Sequence, residues 1–296
     1  MEHFKNIIEF NAAKGLSSPE NPMLGLSKLS DSCGLQIQEF TCDFYIICLI
    51  KAKSGKIRYG HTKYDSKSGC MYFTKPGQIV GSNDINPNEE GFLIFIQEEY
   101  LYGHTLNSGI KKYHYFDYEI NEALHLSPRE EQIIMELYSK IEMDYYNNQD
   151  EYTREIILGH IDSILRYSQR FYKRQFIHRS ELSGKIATRF NNQLTTIMEG
   201  GLLVNEGLPT VKHMAEQLYL SPRYLSDLLK QETGKTAIEL IHLFLISEAK
   251  NLLKGTSLSV SEIAYNLGFE NHPYFSRLFK KVVGVSPNSF KKRLLN

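Results

Sequence analysis

A duplication in the C-terminal third of the chain constrains the fold more than any other feature. Thr210-Val-Lys-His-Met-Ala-Glu-Gln-Leu218 aligns with Ser259-Val-Ser-Glu-Ile-Ala-Tyr-Asn-Leu267 at an offset of 49. Leu225, Leu228, Leu229, Lys230, Gly234 and Thr236 then align with Phe275, Leu278, Phe279, Lys280, Gly284 and Ser286 at an offset of 50. Each copy spells a short helix, a tight turn and a second helix. Thr210 and Ser259 are N-cap residues, whose hydroxyls accept from first-turn amides. Ala215 and Ala264 are small where a second helix must cross closely. In the first copy Ser221 caps and Pro222 opens the second helix. In the second, Gly268-Phe269 makes the turn, Asn271 or His272 caps, and Pro273 falls in the first turn. Apolar residues at i, i+3 and i+4 face inward, and Gly234 and Gly284 end the helices. This is the helix-turn-helix layout, whose second helix enters the DNA major groove.

Between the copies, Ala237 to Lys254 forms one amphipathic stretch with the stripe Leu240, Ile241, Phe244, Leu245, Ala249, Leu252 and Leu253. As a helix it spans roughly 27 Å. That suits two recognition helices held near one DNA turn apart, about 34 Å. The net charge of zero, from 34 Lys+Arg and 34 Asp+Glu, argues against a nucleic-acid partner until the chain is cut at Ser180. Residues 180–296 hold 14 basic and 10 acidic residues, a net of +4, and residues 1–179 hold 20 and 24, a net of −4. Pro273 to Asn296 carries Arg277, Lys280, Lys281, Lys291, Lys292 and Arg293 and no acid. A basic stripe of this kind is the electrostatic footprint of a nucleic-acid module. The Lys291-Lys292-Arg293 tail itself reads as solvated.

Residues 185–296, a little over a third of the chain, resemble the DNA-binding domain of AraC/XylS-type transcription regulators. The segments that carry the resemblance are VKHMAEQLYLSPRYLSDLLKQETGKTAIELI and SVSEIAYNLGFENHPYFSRLFKKVVGVSPNSFKKR. In the second, Ile263-Ala264, Leu267-Gly268-Phe269, Tyr274 to Arg277, Phe279-Lys280, Gly284 and Ser286-Pro287 sit where the family pattern has them. The resemblance implies that Arg223, Ser226, Asp227, His272, Tyr274 and Arg277 read base edges. Pro273 stands where the family often has a polar residue. Arg223 suits a two-pronged hydrogen bond to guanine, and Asp227 either accepts from cytosine or orients Arg223. Lys230, Lys280 and Lys281 are expected on phosphates, which bring affinity and salt dependence but no direct sequence information.

The N-terminal part changes period. Phe44–Ile50, Lys56–Thr62, Cys70–Thr74 and Phe92–Gln97 are short apolar runs with strand composition. Ser54-Gly55, Ser68-Gly69, Pro76-Gly77, Gly81-Ser82 and Asn86-Pro87 punctuate them. They predict a β sandwich or small barrel. The resemblance adds that such regulators often carry a cupin-like sensing barrel followed by dimerisation helices. From Ser127 the spacing is helical. Ser127-Pro128-Arg129-Glu130 has the form of a capped start, and Ile133, Ile134, Leu137 and Ile141 follow. A second helix is predicted from Glu151 to Phe176 with Ile156, Ile157, His160, Ile161, Ile164 and Leu165. These wide apolar faces serve either a dimer seam or packing on their own domain.

The expected fold class is therefore α+β. A cupin-like β domain covers residues 1–126, a helical dimerisation segment 127–178, a linker 179–190 and an AraC-type DNA-binding domain 191–296. Within the last, the first helix-turn-helix covers about 210–234, the linker helix 237–254 and the second helix-turn-helix 259–284. No apolar run approaches the 20 or so residues of a membrane span; the longest is Phe44–Ile50. The start, MEHFKNIIEF, has no signal-peptide core. Cys33, Cys42, Cys48 and Cys70 form no CxxC pair and read as reduced thiols in a cytoplasmic protein. His61, His104, His114 and His125 are dispersed, no His-x-His occurs, and GxSxG, HExxH and P-loop motifs are absent, so no catalytic or metal site is expected. Tyr59, His61, Tyr72 and Phe73 lie on candidate strands, but alternation turns only half of such residues inward, and no ligand-binding residue is assigned. The chain reads as a transcription regulator with double-stranded DNA, RNA polymerase and, where it is ligand-responsive, a small-molecule effector as partners; activator is the role it suggests, but activation and repression are not told apart by the sequence. It is expected to act as a homodimer without a cofactor. The alternatives are a constitutive DNA binder whose N-terminal half only dimerises or binds a protein, and an enzyme built on the β domain. The operator and the effector's chemistry are not written in the sequence.

Overall fold

The continuous apolar run at Phe44–Ile50 becomes the centre of the N-terminal unit. In the computed structural model this strand, Phe44–Lys51, is buried along nearly its whole length, as a strand covered on both faces must be. The structure describes the chain except residues 30–38, 52–57, 60–61, 64–68, 81–89, 120–121, 148–149, 184–185, 202, 204–206 and 296. Cys33, His61 and the turn pairs at 81–82 and 86–87 lie outside the described residues.

The chain divides into two compact units, Met1–Gln175 and Phe176–Asn296. In the first, the strands are β1 (Glu2–Phe4), β2 (Leu24–Lys28), β3 (Phe40–Cys42), β4 (Phe44–Lys51), β5 (Arg58–Tyr59), β6 (Thr62–Lys63), β7 (Cys70–Thr74), β8 (Glu90–Gln97) and β9 (Leu124–His125). Five of them form an antiparallel sheet in the order β2-β8-β4-β7-β9. β1 pairs in parallel with β3, and β5 pairs antiparallel with β6. The first helix, α1 (Ile7–Lys14), brings Phe10 into an aromatic cluster with Phe4, Phe40, Phe44 and Phe95.

The expected cupin-like barrel is not seen closed among the described residues. Among the described residues the sheet is open, ending at β2 on one side and β9 on the other. Helices do the covering that closure or a second sheet would supply. After the single turn α2 (Leu106–Gly109), α3 (Pro128–Tyr146) starts at a full capping box between Ser127 and Glu130. Its Tyr138 stacks on Phe92 of β8 with ring centroids 4.0 Å apart, and its Tyr145 hydroxyl donates to the Leu24 carbonyl of β2. The buried stripe is Ile134, Tyr138, Ile141 and Tyr145, so two of the four predicted aliphatics and two tyrosines form it. α4 (Thr153–Ser183) buries Ile157, Leu158, Ile161, Ile164 and Leu165, whereas Ile156 is exposed. Tyr115 donates to the Leu165 carbonyl, and Tyr172 packs with Phe73 of β7. Arg174 of α4 forks onto the Glu130 carboxylate at 3.1 and 2.7 Å and also donates to the His125 carbonyl. Much of the apolar face of both helices is therefore used within their own unit. Cys42, Cys48 and Cys70 are buried and form no disulfide among the described residues, and burial pushes the Cys42 thiol up to about 11.

The second unit is helical. Within the stretch expected as linker, α4 runs to Ser183 and α5 covers Ile186–Glu199. Then come α6 (Val211–Gln217), α7 (Pro222–Thr233), α8 (Ala237–Gly255), α9 (Val260–Asn266), α10 (His272–Val283) and α11 (Pro287–Leu295). α8 buries Ala237, Ile241, Leu245, Ile246, Ala249 and Leu253. Leu240, Phe244 and Leu252 are only half-buried. Among the described residues no helix is long and apolar enough to cross a membrane.

Candidate nucleic-acid interface

Both helix-turn-helix copies are built by local capping chemistry. Thr210 accepts from the His213 amide at 3.0 Å to start α6, and Ser259 accepts from the Glu262 amide at 3.2 Å to start α9. The Glu262 carboxylate returns to the Ser259 amide at 2.7 Å. That backbone hydrogen bond holds Glu262 below the usual carboxylate range. Ser221 caps α7 through the Tyr224 amide, and Asn271, rather than His272, caps α10 through the Tyr274 amide at 2.9 Å. Both long helices stop at left-handed glycines, Gly234 and Gly284, whose amides donate to Lys230 and Lys280 carbonyls at 2.9 Å.

Each second helix buries one face and presents another. α7 buries Tyr224, Leu225, Leu228 and Leu229, and α10 buries Phe275, Leu278 and Phe279. At 3.6 residues per turn, Arg223, Ser226, Asp227 and Lys230 fall within an arc of about 100° on the other side of α7. Arg223 and Lys230 are exposed there, and Ser226 and Asp227 are half-exposed. The offset of 50 places Pro273, Ser276, Arg277 and Lys280 on the same stripe of α10. Arg277, Lys280 and Lys281 are exposed. Ser276 is therefore a stripe residue that was not among those expected from sequence, although the repeat register points to it.

Two residues have surroundings that bear on their expected roles. His272 is the first residue of α10; its ring lies beside Phe275, and its Nε2 is buried without a hydrogen-bond partner among the described residues. That is a poor posture for reading a base edge. Lys291 is not simply solvated: its Nζ donates to the Leu258 carbonyl at 2.5 Å and lies 3.4 Å from the Ser257 carbonyl. It ties α11 to the loop before α9.

Tyr274 occupies the repeat position of Tyr224 but has a different environment. Tyr224 is fully buried and meets Phe176 edge-on with centroids 5.1 Å apart. Tyr274 is 37 % exposed, and its hydroxyl lies 3.2 Å from Nε2 of His242 on α8. Burial, and then the charge of Lys281, hold the His242 imidazole below its ordinary pKa, while Glu239 acts the other way.

Residues 214–293 match a family model described as a helix-turn-helix domain. The arabinose operon regulatory protein of Escherichia coli is 37 % identical over 81 residues, 27 % of this chain and 28 % of that protein. The C-terminal region is an AraC-type helix-turn-helix domain. An uncharacterized HTH-type transcriptional regulator of Bacillus subtilis, YfiF, is 32 % identical over 137 residues, which are 46 % of this chain and 40 % of that protein. The chain thus spans well under half the length of these relatives. Among solved structures, the C-terminal domain of AraT, a response regulator from Geobacillus stearothermophilus, is 35 % identical. It covers 35 % of this chain and 84 % of that one, with a TM-score of 0.31.

Proposed function

We propose that the protein is a sequence-specific, DNA-binding transcription regulator that places α7 and α10 in successive major grooves. The observation that carries this is the pair of capped recognition helices, each with a polar stripe opposite a buried apolar face, joined by the 19-residue α8. At 1.5 Å per residue α8 spans about 28 Å, which suits grooves about 34 Å apart. Arg223, Ser226, Asp227, Tyr274 and Arg277 are assigned to base edges, and Lys230, Lys280 and Lys281 to phosphates. The AraC-type domain supports double-stranded DNA as partner, and RNA polymerase follows if the protein activates.

The N-terminal unit is assigned the sensing of a small molecule and dimerisation in the cytoplasm. Met143 and Tyr146 of α3 and Ile156 of α4 are exposed apolar side chains left over after both helices have packed on their own unit. They are the residues offered for a homodimer seam. Footprinting with purified protein tests the reading. Protection of two segments about 10 base pairs apart per chain is expected. Uniform, sequence-independent protection would defeat it. Thermal-shift screening separates effector response from constitutive binding, because a bound effector raises stability by mass action.

A further inference from the structure

Tyr274 and His242 form a pair whose proton has two possible owners. The Tyr274 hydroxyl and His242 Nε2 are 3.2 Å apart, with the rings at 68° and centroids 6.4 Å apart. In the Nδ1–H tautomer of neutral His242, Nε2 is the acceptor, and the phenol, the stronger acid, donates to it. A tyrosine hydroxyl has a single proton. With that proton committed to His242, the oxygen shows only lone pairs to anything in front of it.

We propose that His242 is a specificity-positioning residue that sets the hydrogen-bond polarity of Tyr274, so that Tyr274 accepts from a base edge and does not donate to one. The proposal rests on the reading of α10 as a recognition helix. In the major groove only adenine N6 and cytosine N4 donate, whereas guanine and thymine present acceptors. Tyr274 held in this way favours adenine or cytosine at one position. Protonating His242 reverses the pair. Nε2–H then donates to the phenol oxygen, the Tyr274 proton turns outward, and guanine and thymine become acceptable. The charged and titratable groups around His242 are Tyr274 and Lys281 on α10 and Glu239 on its own helix. Lys281 disfavours the imidazolium, as does burial, so the accepting state is the one present at neutral pH.

The test is a binding-site selection with the full chain at about pH 8 and about pH 5, the acid arm set well under the ordinary imidazole pKa of about 6.5 because burial and Lys281 hold His242 below it. Wild type is expected to favour adenine or cytosine over guanine and thymine by about threefold to tenfold at one position at the higher pH, and to lose that preference in acid. His242→Phe should show the relaxed pattern at both pH values. His242→Gln, whose amide oxygen accepts from the hydroxyl but does not titrate, should keep the preference at both. Tyr274→Phe should erase it. A His242→Phe protein that still prefers adenine or cytosine, with Tyr274→Phe having lost the preference, overturns the role of His242 alone. A Tyr274→Phe protein with unchanged selectivity overturns it by removing base contact at Tyr274. Absence of any selected sequence in wild type removes the functional reading beneath both. The wild-type pH comparison and His242→Gln keep the test informative if His242→Phe folds poorly.

Discussion

The two helix-turn-helix copies share a skeleton and diverge in the turn and on the exposed stripe. In the turn, Gly268 of the second copy and Tyr219 of the first occupy the same repeat position and the same left-handed backbone, at φ 80° and φ 58°. A Cβ on Gly268 would lie 2.8 Å from both the Gly207 carbonyl carbon and the Leu203 oxygen. Tyr219, by contrast, is 86 % exposed. On the stripe, Arg223 and Asp227 of α7 face Pro273 and Arg277 in the register of α10. The first copy therefore carries mixed charge suited to discrimination. The second sets Lys280 and the neighbouring Lys281 beside Arg277 with no balancing acid, so its lysines suit affinity for phosphates while Arg277 keeps its base-edge assignment. Duplication kept the capping and the core, which physics fixes locally, and released the positions that meet solvent or DNA.

The largest expected effect breaks the turn of the second copy. Gly268→Ala must adopt a left-handed backbone and also displace main-chain atoms, so it should cost about 3 kcal/mol or more. Urea unfolding of the full chain measures this. A midpoint shift worth less than about 1 kcal/mol would show that the Leu203 and Gly207 backbone yields easily.

The next effect lies on the first stripe. Arg223→Ala should lower discrimination at one base pair by about 1–3 kcal/mol and leave the other positions intact. Selection with the variant reads this directly, and an unchanged sequence preference removes Arg223 from the base-reading set. Lys280→Ala on the second stripe should weaken all DNA alike and reduce the salt slope by about 0.9. An unaltered slope takes Lys280 off the phosphate list. Together these two variants ask whether the copies divide discrimination and affinity as their charges suggest.

The parts of the fold that were legible in the sequence depend on neighbours along the chain. Ser127, Thr210, Ser221 and Ser259 announce helix starts because a cap needs only an amide three residues on. The sheet was harder. Whether strands close into a barrel depends on distant pairings, such as Leu24 with Ile96 and Glu2 with Phe40, which no local pattern encodes. The short run Leu24–Lys28 is a weak strand signal because it has only two large apolar residues and includes a glycine, which strands disfavour. At the candidate site, the repeat made Arg223, Asp227, Arg277 and the lysines legible. His242 was not, since its partner is 32 residues away and only packing brings them together. The inward turn of His272 is likewise a tertiary outcome.

The smallest expected effect comes from making the first turn resemble the second. Tyr219 carries a Cβ in a conformation that costs a non-glycine residue about 1 kcal/mol or more. Glycine removes that strain but raises the entropy of the unfolded chain, which offsets roughly half of it. With 86 % of the tyrosine exposed, little packing is lost. Tyr219→Gly should therefore stabilise the protein slightly, by about 0.5 kcal/mol, read as a small rise in the urea midpoint. A clear destabilisation would mean that the exposed ring makes contacts worth more than the strain it carries. The two turns would then differ in what they hold in place, and not only in how tightly the neighbouring backbone approaches.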